Sequence, residues 1–308
     1  MTFDIPTSAN IVEVGARDGL QNEKQSLSVQ DKVTLIDALS AAGLSHIEAG
    51  SFVSPKWVPQ MANSDEVFAN IKRQSNVIYS ALTPNLRGYQ SAFNASADAV
   101  AVFASASESF SQKNINCSIE QSVLRFDDVM AQAKHDSIPV RGYVSCVLGC
   151  PYEGEIAPQA VLDLSLQLLD MGCYEVSLGD TIGSGTALKT KRLLDLLLSR
   201  IPANKLALHC HDTYGQALSN VLIGLQQGIN TFDSSVAGLG GCPYAAGASG
   251  NLASEDLLYM LHNMEIETGV DLEAVARCGH DISRLLNRQN QSKVGLAMQA
   301  TMQATQKV

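Results

Sequence analysis

Short apolar runs alternate with longer amphipathic segments along almost the whole chain. The runs that read as strands cover residues 11–15, 46–49, 77–82, 99–104, 140–147, 175–178, 205–209 and 231–236. Between them, apolar positions recur at helical spacing over 29–42, 64–72, 85–95, 119–134, 158–171, 186–199, 215–227 and 254–262. Unbroken apolar runs suit parallel strands buried on both faces, and a three-to-four spacing suits helices with one buried stripe. Asp31, Ser64 and Ser254 stand near helix starts, where capping oxygens are favoured, and Gly43, Gly172 and Gly228 stand where helices should end. A strand and a helix recur every 25–35 residues or so, the length of one βα unit, and eight such units predict an α/β fold, a (β/α)8 TIM barrel. A doubly wound open sheet would usually carry a glycine-rich turn after its first strand, and Gly15-Ala-Arg-Asp-Gly19 does not fit GxGxxG. Residues 271–286 read as an extra helix. The expected organisation is a catalytic barrel over 1–270 with a short helical C-terminal extension, 271–308, packed on it.

A barrel of this kind collects its chemistry at the C-terminal ends of its strands. Arg17 and Asp18 follow the first run, Glu48 and Ser51 the second, and Asp180 the sixth. His209 and His211 stand at the end of the seventh, and a glycine-rich stretch from Ser235 to Tyr244, followed by Asn251, comes after the eighth. Side chains alternate along a strand, so His209 and His211 share a face and Cys210 takes the other. Two same-facing imidazoles at a strand end make half of a metal site. The bland reading is a pair of satisfied rim histidines. Asp18 can ligate a cation or cap a turn; Arg17 can neutralise an anion or form a surface ion pair. Cys242 sits among glycines that suit a closing lid, where a thiol could exchange a proton in a dry site. Glu48, Asp180 and Glu255 can orient ligands or merely cap helices.

Composition narrows the setting. Hydrophobic residues make up 45% of the 308, enough for a large core, and the formal net charge is -10. That balance argues against nucleic-acid or anionic-membrane partners. Any anionic substrate needs a few local cations. No apolar run approaches the ~20 residues of a membrane helix. The seven cysteines are scattered and form no CxxC, which suits a reducing compartment. The first residues show no signal-peptide pattern, and no organelle presequence or peroxisomal C-terminal signal is expected.

Two segments, Val12-Glu-Val-Gly-Ala-Arg-Asp-Gly-Leu-Gln-Asn-Glu-Lys24 and Ser235-Val-Ala-Gly-Leu-Gly-Gly-Cys-Pro-Tyr244, resemble the signatures of the 3-hydroxy-3-methylglutaryl-CoA lyase family. His209-Cys-His-Asp212, Ala246-Gly-Ala-Ser-Gly-Asn251 and Ala106-Ser-Glu-Ser-Phe110 match in order and spacing. The likeness runs from about Asn10 to about Val270. The Arg-Asp turn and the HxH pair are shared by a wider group of metal-dependent aldol and Claisen enzymes; the loop carrying Cys242 is more discriminating. The resemblance implies retro-Claisen cleavage of 3-hydroxy-3-methylglutaryl-CoA to acetyl-CoA and acetoacetate, a late step of leucine breakdown. It implies a divalent cation, Mg2+ or Mn2+, on Asp18, His209, His211 and Asn251, with Arg17 and Cys242 catalytic. Glu48 and Asp180 would serve the reacting centre, and Glu13 and Glu255 would support it. Lys24, Asn114 and Ser118 would contact the CoA arm. A cytoplasmic homodimer acting on a small acyl-CoA is expected. A Claisen synthase, a 2-oxo-acid aldolase, a lyase for a closely related acyl-CoA, and a non-enzymatic barrel with a structural metal remain as alternatives.

Overall fold

The computed structural model describes residues 5–241 and 250–305. Eight parallel strands close into a barrel in chain order, each pairing with the next and the eighth with the first. They are β1 (Asn10–Glu13), β2 (His46–Ser51), β3 (Ile78–Leu82), β4 (Ala99–Ser105), β5 (Val140–Ser145), β6 (Val176–Asp180), β7 (Leu206–Cys210) and β8 (Thr231–Ser234). The surrounding helices are α1 (Val29–Ala41), α2 (Ser64–Asn70), α3 (Leu86–Asn94), α4 (Glu108–Ile115), α5 (Ile119–Asp136), α6 (Pro158–Met171), α7 (Ala187–Leu197), α8 (Ala217–Gln226) and α9 (Ser254–Asn263), followed by α10 (Leu272–Leu285) and α11 (Lys293–Thr305).

The barrel predicted from periodicity is the one observed, and the differences have local causes. Strand β1 stops at Glu13 because Gly15–Gly19 winds into a π-helical turn, closed by the Gly19 N–H on the Val14 carbonyl. Strand β5 stops at Ser145, since Cys146 takes a left-handed φ of 63° and gives its N–H to Thr181 Oγ1. Strand β8 stops at Ser234, just before a turn in which Ala237 is left-handed. Helix α1 does use Asp31, but through a capping box with Ser28. Ser64 and Ser254, expected as caps, bond elsewhere: Ser64 to the Ser51 and Met61 carbonyls, Ser254 to Glu13. Gly43, Gly172 and Gly228 all adopt the left-handed conformation expected after a helix. Helix α4 is additional to the expected elements, and α11 falls within the expected helical extension 271–308.

The main core lies between the outer faces of the strands and the inner stripes of the helices. Helix α5 shows how it forms: Ser122, Val123, Phe126, Val129, Met130 and Ala133 repeat at three and four and are all buried. Inside the barrel the packing is partly polar. A small apolar cluster of Leu82, Ala101 and Tyr143 shares the lumen with Arg141, Ser177 and Asp233, all buried. Helix α10 packs its buried stripe on α1, α9 and the turn after β8, and α11 packs on α9 and α10. Asp256 fixes that extension by accepting from Ser292 Oγ and the Val294 N–H.

Candidate functional site

The π-helical turn after β1 sets the first part of the site. Its entry is held by Glu13, whose Oε1 accepts from the Gly15 and Val236 N–H groups while Oε2 accepts from Ser254 Oγ. Glu13 thereby ties the Arg17–Asp18 turn to the segment that follows β8. Burial pushes its carboxyl up to about 7, against the three donors. Glu255 plays a similar part from α9, accepting from the Ala237 N–H, and burial raises it to about 8.

The turn aims Arg17 inward. Its Nε donates to Glu48 Oε2 at 2.6 Å, its Nη2 lies 2.6 Å from the same oxygen, and its Nη1 donates to Asp18 Oδ1 at 2.6 Å. Burial opposes the guanidinium charge, but Glu48 and then Asp18 more than restore it. Glu48 is fully buried, and its Oε1 has no hydrogen-bond partner among the described residues. Three of the five N–H groups of Arg17 thus meet carboxylates, leaving two for a ligand.

Strand β7 brings the imidazoles. His209 Nε2 faces His211 Nε2 at 3.3 Å and lies 4.0 Å from Asp18 Oδ2. Ligand atoms of Asp18, His209 and His211 all fall within 4.8 Å of one another. A cation with bonds of about 2.1 Å holds adjacent ligand atoms about 3.0 Å apart and opposite ones about 4.2 Å apart. The 3.3 and 4.0 Å separations of His209 Nε2 from His211 Nε2 and Asp18 Oδ2 fall in that range. Burial would raise the Asp18 carboxyl, but Arg17, His209 and His211 hold it down to about 2. Burial and then His209 press His211 down to about 4, leaving its ring neutral. Asn251 completes the group from the strand end opposite His211. Its Nδ2 donates to Asp18 Oδ2 and the Leu239 carbonyl, which leaves Oδ1 as a buried acceptor without a partner among the described residues. A cation or its bound water is the kind of group that satisfies such an oxygen.

The other expected residues are distributed around this centre. Asp180 pairs in register with Cys210, which faces the outer core, so its carboxylate leaves the strand on the side away from the lumen. There it accepts from the Ser184 and Gly185 N–H groups and closes its own loop, with burial raising it to about 6. Lys24 is exposed in the connection after β1, and Asn114 is exposed at the end of α4, beyond β4. Ser118 caps α5 by accepting from the Gln121 N–H. All three lie in connections that leave C-terminal strand ends. Cys242, expected on a closing lid, lies outside the described residues; just before it, Gly240 has a φ of 117° beside Asn251, and Asn22 Nδ2 donates to the Gly241 carbonyl.

Periodicity did not pick out a column of charge beneath the imidazoles. Asp233 Oδ2 lies 3.2 Å from His209 Nδ1, and its Oδ1 accepts from Arg141 Nη2 at 2.8 Å. Arg141 also bonds Glu175 and the Tyr143 hydroxyl. Tyr143 packs edge-on to His209, with the Arg17 and Arg141 guanidiniums 5.7 and 5.1 Å from its ring centre. A signal was present: Arg141 and Asp233 are charges at lumen-facing positions of otherwise buried strands. Two guanidiniums here face four carboxylates (Asp18, Glu48, Asp233 and Glu175), a deficit of positive charge that a cation at the triad would offset.

Residues 8–282 match the family model described as HMGL-like. The chain belongs to the HMGL-like family. It is 57% identical over 298 residues to the 3-hydroxy-3-isohexenylglutaryl-CoA/hydroxy-methylglutaryl-CoA lyase of Pseudomonas aeruginosa, covering 97% of this chain and 99% of that one. It is 58% identical over 293 residues to the cytoplasmic 3-hydroxy-3-methylglutaryl-CoA lyase of Danio rerio, covering 95% and 88%. Among solved structures, the hydroxymethylglutaryl-CoA lyase of Pseudomonas aeruginosa superposes with a TM-score of 0.95 at 56% identity, covering 96% of this HMGL-like chain and 99% of the other.

Proposed function

We propose that this HMGL-like protein cleaves 3-hydroxy-3-methylglutaryl-CoA to acetyl-CoA and acetoacetate, with a divalent cation, Mg2+ or Mn2+, held by Asp18, His209, His211 and Asn251. The observation that carries the proposal is the convergence of Asp18, both imidazoles and the Arg17 guanidinium on one point at the barrel mouth. The relatives matched over most of their length are lyases by name, which favours cleavage over a synthase or an aldolase.

The reaction breaks the C2–C3 bond. The tertiary hydroxyl gives its proton to water at the barrel mouth and becomes the ketone of acetoacetate, the bonding pair moves to C2 as the enolate of acetyl-CoA, and one proton returns to C2, so no net proton is consumed. When bound, the cation supplies Lewis-acid polarisation of the hydroxyl and carboxylate oxygens and fixes their orientation. Arg17 offers its two remaining N–H groups to the thioester oxygen, where negative charge grows as the bond breaks. Glu48 holds the guanidinium plane through Nε and Nη2, so the donors are aimed before substrate arrives. Asp18, held near 2, stays ionised and acts as a fixed charge rather than a proton acceptor. Cys242 would give a proton to C2 and take one back from water. Asp180 serves the centre indirectly, by fixing the loop after β6. Lys24, Asn114 and the Ser118 hydroxyl hold the CoA arm along the rim. The six described cysteines are free and buried, consistent with a reducing cytoplasm, and a homodimer is the assembly we propose.

The test is incubation with 3-hydroxy-3-methylglutaryl-CoA, with and without a chelator, following acetoacetate. Release that stops on chelation and returns with Mn2+ or Mg2+ supports the assignment; no metal-dependent release removes it. The double name of the Pseudomonas relative supports a second reading, a longer 3-substituent. A higher kcat/KM for the isohexenyl substrate than for the methyl one would favour it.

A further inference from the structure

We infer that Asp233 is a positioning residue, held by Arg141 and Ser177, that fixes the orientation and tautomer in which His209 meets the cation. The inference builds on the metal reading proposed above. Asp233 is 2% exposed and stands in register with His209 across the β7–β8 pair, with both side chains facing the lumen. Its Oδ2 receives Ser177 Oγ at 2.8 Å and His209 Nδ1 at 3.2 Å, while its Oδ1 is occupied by Arg141 Nη2 at 2.8 Å. The carboxylate is therefore pinned from β5, β6 and β7, and cannot rotate without breaking a charge-assisted bond.

The tautomer follows from this geometry. A carboxylate only accepts, so the nitrogen facing it, Nδ1, carries the proton. Nε2 is then left with its lone pair pointing at His211 and Asp18, the arrangement a metal ligand needs. Histidine ligands commonly donate their second N–H to a carboxylate or carbonyl, and loss of that partner typically weakens metal binding 10–100-fold. The bland reading makes Asp233 only the counter-ion of Arg141. Against it, Arg141 spends Nε on Glu175 and Nη1 on Tyr143, and gives Asp233 only Nη2. A bidentate pair would have tied up both carboxylate oxygens. Here one oxygen is kept for Ser177 and His209.

The experiment is a calorimetric titration of Mn2+ into the metal-free full-length protein, with the melting temperature of each metal-free variant measured alongside. For Asp233→Asn, whose amide can present a donor to Nδ1 and force the other tautomer, Mn2+ affinity should fall 10–100-fold. Ser177→Ala leaves the Arg141–Asp233 pair intact and frees Oδ2, and should weaken Mn2+ binding two- to tenfold. Leu193→Ala, a buried core change on α7 outside the column, should lower the melting temperature while keeping wild-type affinity. Wild-type affinity in folded Asp233→Asn overturns the inference; where that variant fails to fold, wild-type affinity in Ser177→Ala does the same. A wild-type protein that takes up no Mn2+ instead overturns the metal reading, and this inference falls with it.

Discussion

Replacing Arg17 with lysine asks whether the guanidinium is an aimed donor or only a local positive charge. Arg17 reaches Glu48 through Nε and Nη2 and Asp18 through Nη1, each contact at 2.6 Å. A lysine ammonium keeps the charge but is a compact donor on a flexible stem, and it cannot span Glu48 and Asp18 while also facing a substrate. At least one charge-assisted bond to the buried Glu48 is lost. A hydrogen bond to a charged group is worth about 1.5–3 kcal/mol, so stability should fall by about 2 kcal/mol. In a chain of this size that lowers the melting temperature by about 3 °C. The catalytic loss should be larger than the stability loss suggests, since removing one donor to a developing oxyanion costs about 100- to 1,000-fold in kcat. Acetoacetate release at saturating substrate and Mn2+, below the variant's melting range, reads this directly. We expect kcat to fall at least a hundredfold with KM changed only a few-fold. A kcat within threefold of wild type would refute the aimed-donor role and leave Arg17 as a charge-balancing residue.

Three further outcomes follow from the same geometry. Glu13 keeps its proton to about pH 7 when folded but releases it in the usual carboxylate range when unfolded, so its contribution to stability is full in acid and is lost as pH rises through about 7. Glu13→Gln should therefore gain stability relative to wild type by about 3 kcal/mol between pH 4 and pH 8; a melting-temperature difference that is flat over this range contradicts the burial argument. Ser118→Ala removes the α5 cap, costing about 1 kcal/mol, and should also raise KM for the acyl-CoA several-fold; a lowered melting temperature with unchanged KM confines Ser118 to capping. At Gly240, left-handed at a φ of 117°, an added Cβ would stand 2.6 Å from Asn251 Nδ2, so Gly240→Ala should displace the amide and weaken Mn2+ binding several-fold, measured by calorimetry. Unchanged affinity would mean that Asn251 is not needed to hold the ion.

The barrel was legible because parallel strands buried on both faces leave continuous apolar runs, and these stand out from amphipathic helices at a regular interval. Strand ends were less legible, since Cys146 and Ala237 end their strands by taking a left-handed conformation that side-chain pattern does not encode. The rim residues were legible in part from strand periodicity: His209 and His211 had to share a face. Asp180 shows the limit of that reasoning. It ends a strand at the functional rim, yet lies one position out of phase with the lumen and is used by its own loop. The Asp233–Arg141 column was hidden for a different reason. Its meaning depends on register across strands far apart in sequence, which only the closed barrel supplies.

The central claim is that one cation sits among Asp18, His209 and His211. Anomalous scattering from a crystal soaked in Mn2+ tests it most directly. A single strong peak is expected within bonding distance of Asp18 Oδ2, His209 Nε2 and His211 Nε2. A fully soaked crystal with no peak there, or with its peak away from these three atoms, would contradict it.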